Sequence, residues 1–215
     1  MIAVAHRAGN SLAELRAALD AGVDLVEADV RLFRDALEVR HCRAIGRHLF
    51  WDGWDVNRRR SLAVPELADV LAAAGGDPRL MLDLKGPGLS VAPRVAGLLR
   101  RAAPGVPVTV CTKQWRMLDA FDDDQHVRRV FSASDPMQLA RLMTRLRQAE
   151  RPAYGVSIRL RLLTRQVVAE LLRRGTLVMV WPVDTEAALA RATRLGVSGV
   201  ISKNLDVLRR VLAAR

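Results

Sequence analysis

Short apolar runs alternate with amphipathic stretches along the whole chain. Ile2 to His6 reads as a strand. Ser11 to Ala21 places Leu12, Leu15 and Leu19 on one helical face and stops at Gly22. Leu25 to Val30 reads as the second strand. Leu37 to His41 alternates like a strand but follows too soon for a helical crossover, which takes a dozen residues or more. A hairpin turning near Arg34 and Asp35 fits this spacing. It sets His41 opposite Ala28, between Glu27 and Asp29, and directly opposed residues lie about 5 Å apart. Arg43 to Ala63, with Trp51, Gly53 and Trp54, reads as a loop lying over this region.

Beyond it the alternation is regular. Helices are predicted over Pro65 to Ala74, Leu89 to Ala102, Gln114 to Phe121, Pro136 to Ala149, Thr164 to Arg174 and Thr185 to Leu195. Pro65 stands at the first turn of its helix, where proline is tolerated. The strands between them are Leu80 to Leu84, Pro107 to Cys111, Val127 to Phe131, Tyr154 to Ile158, Leu177 to Trp181 and Gly199 to Ser202. Asn204 is placed to cap a last helix to Ala213. Setting aside the return arm of the hairpin, this gives about eight strands, each followed by a helix. Such alternation calls for a parallel sheet, and eight units close into a barrel. The expected architecture is a single (β/α)8 TIM barrel, residues 1–215 forming one domain, with an extra β-hairpin after the second strand.

Composition narrows the function classes. No apolar run approaches the ~20 residues of a membrane span. The first residues read as a core strand and not as a signal peptide, so a cytoplasmic location is expected. Cys42 and Cys111 make neither a metal spacing nor a disulfide framework and read as free thiols. The formal charge of +11 points to an anionic partner: a phosphate ester, nucleic acid or a membrane surface. The competing reading is a solvated surface. The basic residues are almost all arginine, spread with Ala and Leu along helix-like segments, as a high-GC codon bias would give. Arg58-Arg59-Arg60 is the longest basic run and has only Trp51 and Trp54 nearby, so no nucleic-acid partner is expected.

The polar residues collect at the C-terminal ends of the strands, where barrels of this kind carry their active sites. His6 and Arg7 end the first strand, and Glu27 and Asp29 lie toward the end of the second. Asp83 and Lys85 end the third, Trp181 the seventh. Glu27 and Asp29 are two apart and therefore share one side of their strand. A bare buried carboxylate pair is costly. A hard cation such as Mg2+ or Ca2+ would relieve it, with Asp83 as third ligand. The alternative is bridging by Arg7, Arg40 or Lys85. His6 and His41 approach the carboxylates from separate strands. One could take a proton from a nucleophile while the other gives one to a leaving oxygen. Arg7 could grip a phosphate oxygen or serve as a structural ion pair. Lys85 could stabilise charge on a transferring phosphoryl group or neutralise the interior.

Taken in order, His6-Arg7-Ala8, Asn10-Ser11-Leu12, the run from Gly22 to Val30, Arg40-His41-Cys42, Leu82-Asp83-Leu84-Lys85, the run from Val178 to Asp184 and the run from Gly196 to Ile201 resemble the glycerophosphodiester phosphodiesterase family. The family belongs to the phospholipase C-like barrels. The resemblance implies metal-dependent hydrolysis of a small-molecule glycerophosphodiester to glycerol 3-phosphate and an alcohol. It assigns His6 and His41 as the acid-base pair and Glu27, Asp29 and Asp83 as holders of Mg2+ or Ca2+. Arg7 and Lys85 would contact the phosphate. Trp181 would line the pocket, the alternative being plain core packing.

The chain departs from the family pattern in several places. Ala8 replaces a glycine, with Gly9 beside it to take over the turn. Cys42 replaces the aspartate after the second histidine. Asp83 replaces a glutamate and reaches one methylene less. Pro182 replaces a threonine, and the segment between His41 and Asp83 is short. These changes motivate a second reading: a catalytically impaired member that binds phosphate ligands or a protein. A third is another phosphate-handling barrel using Lys203 and the helix start at Asn204.

Overall fold

The described residues of the computed structural model are 1–53, 55–150 and 152–215; Trp54 lies outside them. In chain order the strands are β1 (Ile2–Ala5), β2 (Leu25–Phe33), β3 (Ala36–Val39), β4 (Arg43–Ile45), β5 (Leu49–Asp52), β6 (Asp55–Arg58), β7 (Leu80–Lys85), β8 (Val108–Thr112), β9 (Val127–Ala133), β10 (Gly155–Arg159), β11 (Leu177–Trp181) and β12 (Gly199–Ser202). The α-helices are α1 (Leu12–Asp20), α2 (Leu67–Ala74), α3 (Val91–Ala102), α4 (Pro136–Gln148), α5 (Arg165–Arg173), α6 (Glu186–Leu195) and α7 (Leu205–Ala213).

Strands β1, β2 and β7 to β12 form a closed parallel ring, because β1 pairs with β12 on one side and β2 on the other. This is the expected (β/α)8 barrel. A 3-10 turn over Trp115–Phe121 takes the place of an α-helix after β8. β3 pairs antiparallel with β2 outside the ring, joining Val30 to Val39 and Phe33 to Ala36. That register is the one expected from a turn at Arg34 and Asp35. It runs on past the strand, where the Arg40 amide donates to the Asp29 carbonyl at 2.8 Å.

Apart from the first half of β9, where Arg128 is exposed, the ring strands are largely buried on both faces, and the two faces do different work. Along β2, Val26, Ala28 and Val30 join the large apolar layer under the helices. Leu25 belongs instead to a second cluster with Val4, Met81, Cys111, Val130, Met179 and Ile201, contributed by six of the other ring strands, which fills the barrel interior. The period of two then carries Glu27, Asp83 and Lys85 to the layer above that plug. The loops into the helices end in residues that accept a backbone amide at the helix start. Asp135 accepts from Gln138 at 2.9 Å, Thr185 from Ala188 at 3.2 Å and Asn204 from Asp206 at 3.0 Å.

Two local expectations are corrected. Arg43 to Ala63 is not a loop: β4, β5 and β6 form a three-stranded antiparallel sheet. Its strands hold three or four residues each, too few for alternation to stand out in the sequence. Gly46 and Gly53 supply the positive φ that its turns require. Pro65 also lies outside helix α2. The helix starts at Leu67, and the Glu66 amide before it donates to Asp69 Oδ2 at 3.1 Å.

The turn after β1 rests on one close contact. A Cβ at Gly9 would lie 2.6 Å from the Ala28 Cβ and 3.1 Å from the Glu27 carbonyl. Only glycine lets this turn lie against β2. Gly9→Ala is expected to destabilise the fold by about 1–3 kcal/mol, the usual cost of overpacking. Urea unfolding checks this, and an unchanged midpoint would show that the turn can lift off without loss.

Candidate metal and phosphate site

Glu27, Asp29 and Asp83 converge above the apolar plug of the barrel. Each offers an oxygen, and the three oxygens lie within 4.8 Å of one another. All three residues are buried. Asp83 therefore reaches the cluster although it is a methylene shorter than the glutamate of the family pattern. Register explains the pairing, since Asp29 and Asp83 are direct neighbours on β2 and β7.

Asp29 is the most tightly held. Asn10 clamps it from the turn after β1: its Nδ2 donates to Asp29 Oδ2 at 2.9 Å, and its Oδ1 accepts from the Asp29 amide at 2.8 Å. Lys85 Nζ stands 3.0 Å from Asp29 Oδ1 and also contacts Asp83 Oδ2. Burial opposes ionisation of Asp29, but the charge of Lys85 and the Asn10 hydrogen bond bring its pKa down to about 2. Burial and the charge of Asp29 push Glu27 well above the usual carboxylate range. Burial likewise raises Asp83. Lys85 is raised, because the surrounding carboxylates outweigh its own desolvation.

This donor set fits a hard divalent cation. The three donors are all carboxylate oxygens, and Asp83 Oδ1 is buried without a hydrogen-bond partner. Lys85, with Arg7 at the edge of the cluster, leaves the set short of positive charge, which a divalent ion would supply. Bridging by side chains, the alternative to a metal, is present only in part. Lys85 and Arg7 reach Asp29, but Arg40 does not: it is held by Glu38, with its Nε 2.7 Å from Oε2.

His6 and Arg7 enter from the end of β1. Arg7 has a left-handed backbone at φ 61°, which turns its amide onto Glu27 Oε2 at 2.6 Å. Its Nε lies 3.5 Å from Asp29 Oδ2 and makes no hydrogen bond. His6 Nε2 lies 3.9 Å from Glu27 Oε2. Loss of water on burial, then repulsion from Arg7, lower His6 from 6.5 to about 4. The imidazole is therefore neutral at pH 7.

His41 comes from just beyond the return arm of the hairpin and lines the same cavity of about 120 Å3 as His6, Glu27, Asp83, Lys85 and Trp181. Its Nδ1 is 2.8 Å from Asp52 Oδ1. Desolvation lowers its pKa, while Asp29 and Asp52 act in the opposite direction. Asp52 sits on β5, in the stretch expected to be a loop, so no local pattern in the sequence pointed to it. It places a carboxylate on His41 in a chain whose residue 42 is cysteine. The Cys42 carbonyl, for its part, accepts from Arg40.

Trp181 faces the cavity and is only partly buried. The Lys113 ammonium lies over its ring, 4.9 Å from the centroid. The ring also packs on the interior apolar cluster, so packing and lining coexist. At the start of α7 the Lys203 amide donates to Asp184 Oδ1 at 2.8 Å. A carboxylate thus occupies the position where a phosphate-handling barrel of another kind would need an anion site.

The sequence profile of the glycerophosphoryl diester phosphodiesterase family matches residues 178–206, the stretch from β11 into α7. No curated protein sequence matches the chain. Solved structures match over its full length. One from Silicibacter pomeroyi, provisionally named a glycerophosphoryl diester phosphodiesterase, superposes with a TM-score of 0.81 at 17% identity, covering 100% of this chain and 93% of that one. An Oleispira antarctica phosphodiesterase in complex with the product sn-glycerol-3-phosphate gives 0.75 at 18% identity, covering 100% and 96%. The glycerophosphodiester phosphodiesterase of Thermotoga maritima gives 0.74 at 18% identity, covering 100% and 98%. At such identities structural likeness carries the fold, and the profile adds the sequence signal. The sequence likeness to that family thus lies in residues 178–206, and the likeness of fold extends over the whole chain. The matched segment ends one ring strand in Trp181 and another in Ser202, both at the mouth that holds the carboxylates.

The burial of His6 has a consequence for stability. A folded pKa of about 4 against 6.5 means that folding disfavours the imidazolium. The neutral-state stability is complete above pH 6.5 and declines as the pH falls toward 4, by on the order of 3 kcal/mol. Urea unfolding from pH 7.5 to 4 should show this loss in the parent chain and a shallower one in His6→Gln. Parallel slopes in the two proteins would refute it.

Proposed function

We propose that this chain hydrolyses glycerophosphodiesters to glycerol 3-phosphate and an alcohol, with a divalent cation, Mg2+ or Ca2+, held by Glu27, Asp29 and Asp83. The observation that carries this reading is the buried three-carboxylate cluster in one cavity with His6 and His41. The product bound to the Oleispira antarctica phosphodiesterase of like fold supports the same product here. When bound, the cation would neutralise charge on the phosphate oxygens.

The chain's own residues supply the rest. Arg7 and Lys85 would hold non-bridging phosphate oxygens. His6, neutral at pH 7, takes the proton of the attacking hydroxyl. Water gives glycerol 3-phosphate directly, whereas attack by a glycerol hydroxyl gives a cyclic phosphate that a water then opens to the same product. A new P–O bond forms as the P–O bond to the alcohol breaks. The alcohol oxygen takes a proton from His41; Asp29 and Asp52 favour its imidazolium against the desolvation that lowers its pKa. Trp181 lines the wall for the glycerol or alcohol carbons. Beyond His41, Lys85 and Lys113 the cavity meets a cleft of about 790 Å3 that has room for the departing alcohol. We place the enzyme in the cytoplasm, in keeping with its free thiols; among the described residues no helix is long and apolar enough to cross a membrane.

The deciding experiment is release of glycerol 3-phosphate from glycerophosphocholine and glycerophosphoethanolamine. EDTA should abolish it and Mg2+, Ca2+ or Mn2+ should restore it. His6→Ala and His41→Ala should each lower kcat by at least about 100-fold. No release with any metal would overturn the reading and leave a phosphate-binding member of the family, to be sought by ligand-binding screens.

Asp52 is expected to act through His41 as a positioning residue. Asp52→Asn should lower kcat about 10-fold with KM unchanged, and it should move the alkaline limb of the kcat profile to lower pH. A change in KM alone would assign Asp52 to substrate binding instead.

A further inference from the structure

The small sheet of β4, β5 and β6 has two unlike faces. On the inner face Phe50 is buried, with the Arg40 and Arg59 guanidinium carbons 4.7 and 5.0 Å from its ring centroid. Asp52, on the same face, holds His41. Alternation puts the next residues on the opposite side. There the register aligns Arg43, Trp51 and Val56 in one row and Ile45, Leu49 and Arg58 in the next. The four apolar members are open to solvent: Ile45 47%, Leu49 37%, Trp51 41% and Val56 58% exposed.

Charge surrounds this apolar centre. Arg43, Arg47, Arg58 and Arg60 have no carboxylate within ion-pair distance among the described residues, whereas Arg59 is taken by Glu38. The acidic groups of the sheet are Asp52, already engaged by His41, and Asp55. A second copy would bring like charges face to face. A polyanion without an apolar layer would leave four hydrophobic side chains in water. An anionic bilayer satisfies both parts: its headgroups meet the arginines, and its headgroup–acyl boundary accepts Trp51 and the aliphatic side chains.

We propose that the outer face of the β4–β6 sheet docks the protein on membranes containing anionic lipid. Ile45, Leu49, Trp51 and Val56 enter the interfacial layer, and Arg43, Arg47, Arg58 and Arg60 contact lipid phosphates. Arg43 and Trp51 also line the cleft of about 790 Å3 that includes His41 and Lys85. Docking therefore sets the mouth of the cleft beside the bilayer surface. The inference rests on the sheet alone and holds whether or not the chain turns over a phosphodiester.

The test is sedimentation of the full chain with vesicles of 70% phosphatidylcholine and 30% phosphatidylglycerol, against phosphatidylcholine alone, at about 100 mM salt where the screening length is near 10 Å. Binding is expected to the anionic vesicles and not to the neutral ones. Leu49→Ser with Val56→Ser should weaken it at least 10-fold. Arg58→Gln with Arg60→Gln should weaken it roughly 25-fold, about five-fold for each arginine. Circular dichroism and thermal midpoints establish that both variants are folded, and the arginine pair stands as the test should the apolar pair fail to fold. Absence of binding to the anionic vesicles would overturn the proposal, as would binding unchanged in a folded variant. Two further results would also overturn it: a dimer in sedimentation velocity that the Leu49 and Val56 changes abolish, or oligonucleotide binding that competes fully with the vesicles.

Discussion

Three carboxylates share a buried space with one lysine. Most of what distinguishes this barrel from a plain one follows from that constraint. Among the described residues Lys85 and, at 3.5 Å from Asp29, Arg7 are the cations beside Glu27, Asp29 and Asp83, so full ionisation of all three is opposed, because charge without water or compensation is costly. The fold answers unequally. Asp29 receives the Asn10 clamp and Lys85 and stays charged, whereas Glu27 is pushed toward its protonated form. The same constraint accounts for the turn after β1: Arg7 takes a left-handed backbone so that its amide meets Glu27, and Gly9 lies against Ala28 so that Asn10 can reach Asp29.

The second histidine depends on a different piece of architecture. The β2–β3 hairpin carries the chain back alongside Asp29, and His41 follows at its end. Its ring is then fixed from outside the barrel by Asp52 on β5. The short sheet thus has a structural reason to exist: its inner face supplies a carboxylate to His41 and buries Phe50. Its outer face has no such internal duty, yet it is apolar at the centre and basic at the rim. Cys42 loses much of its significance in this setting, because a carboxylate reaches the histidine from elsewhere in the chain. Asp83 does so as well, because the β2–β7 register brings its shorter side chain within reach of the other two oxygens.

Much of this was open to a reader of the sequence. Periodicity marked the ring strands, since each is a short apolar run between helices with clear caps and stops. The hairpin register followed from counting about Arg34 and Asp35. Glu27 and Asp29 were placed on one side of β2 by the period of a strand alone. Local covalent geometry determines all of these, so sequence spacing carries them. Tertiary structure alone decided the rest. Asn10 and Asp52 reach their partners across 19 and 11 residues, over distances at which spacing carries no directional information. The same holds for the choice of Arg40 to pair with Glu38 and not with the site, and for the upward shift of Glu27. Each depends on how much water and how many opposing charges the closed barrel leaves around a group, which is a property of the packed interior and not of any segment.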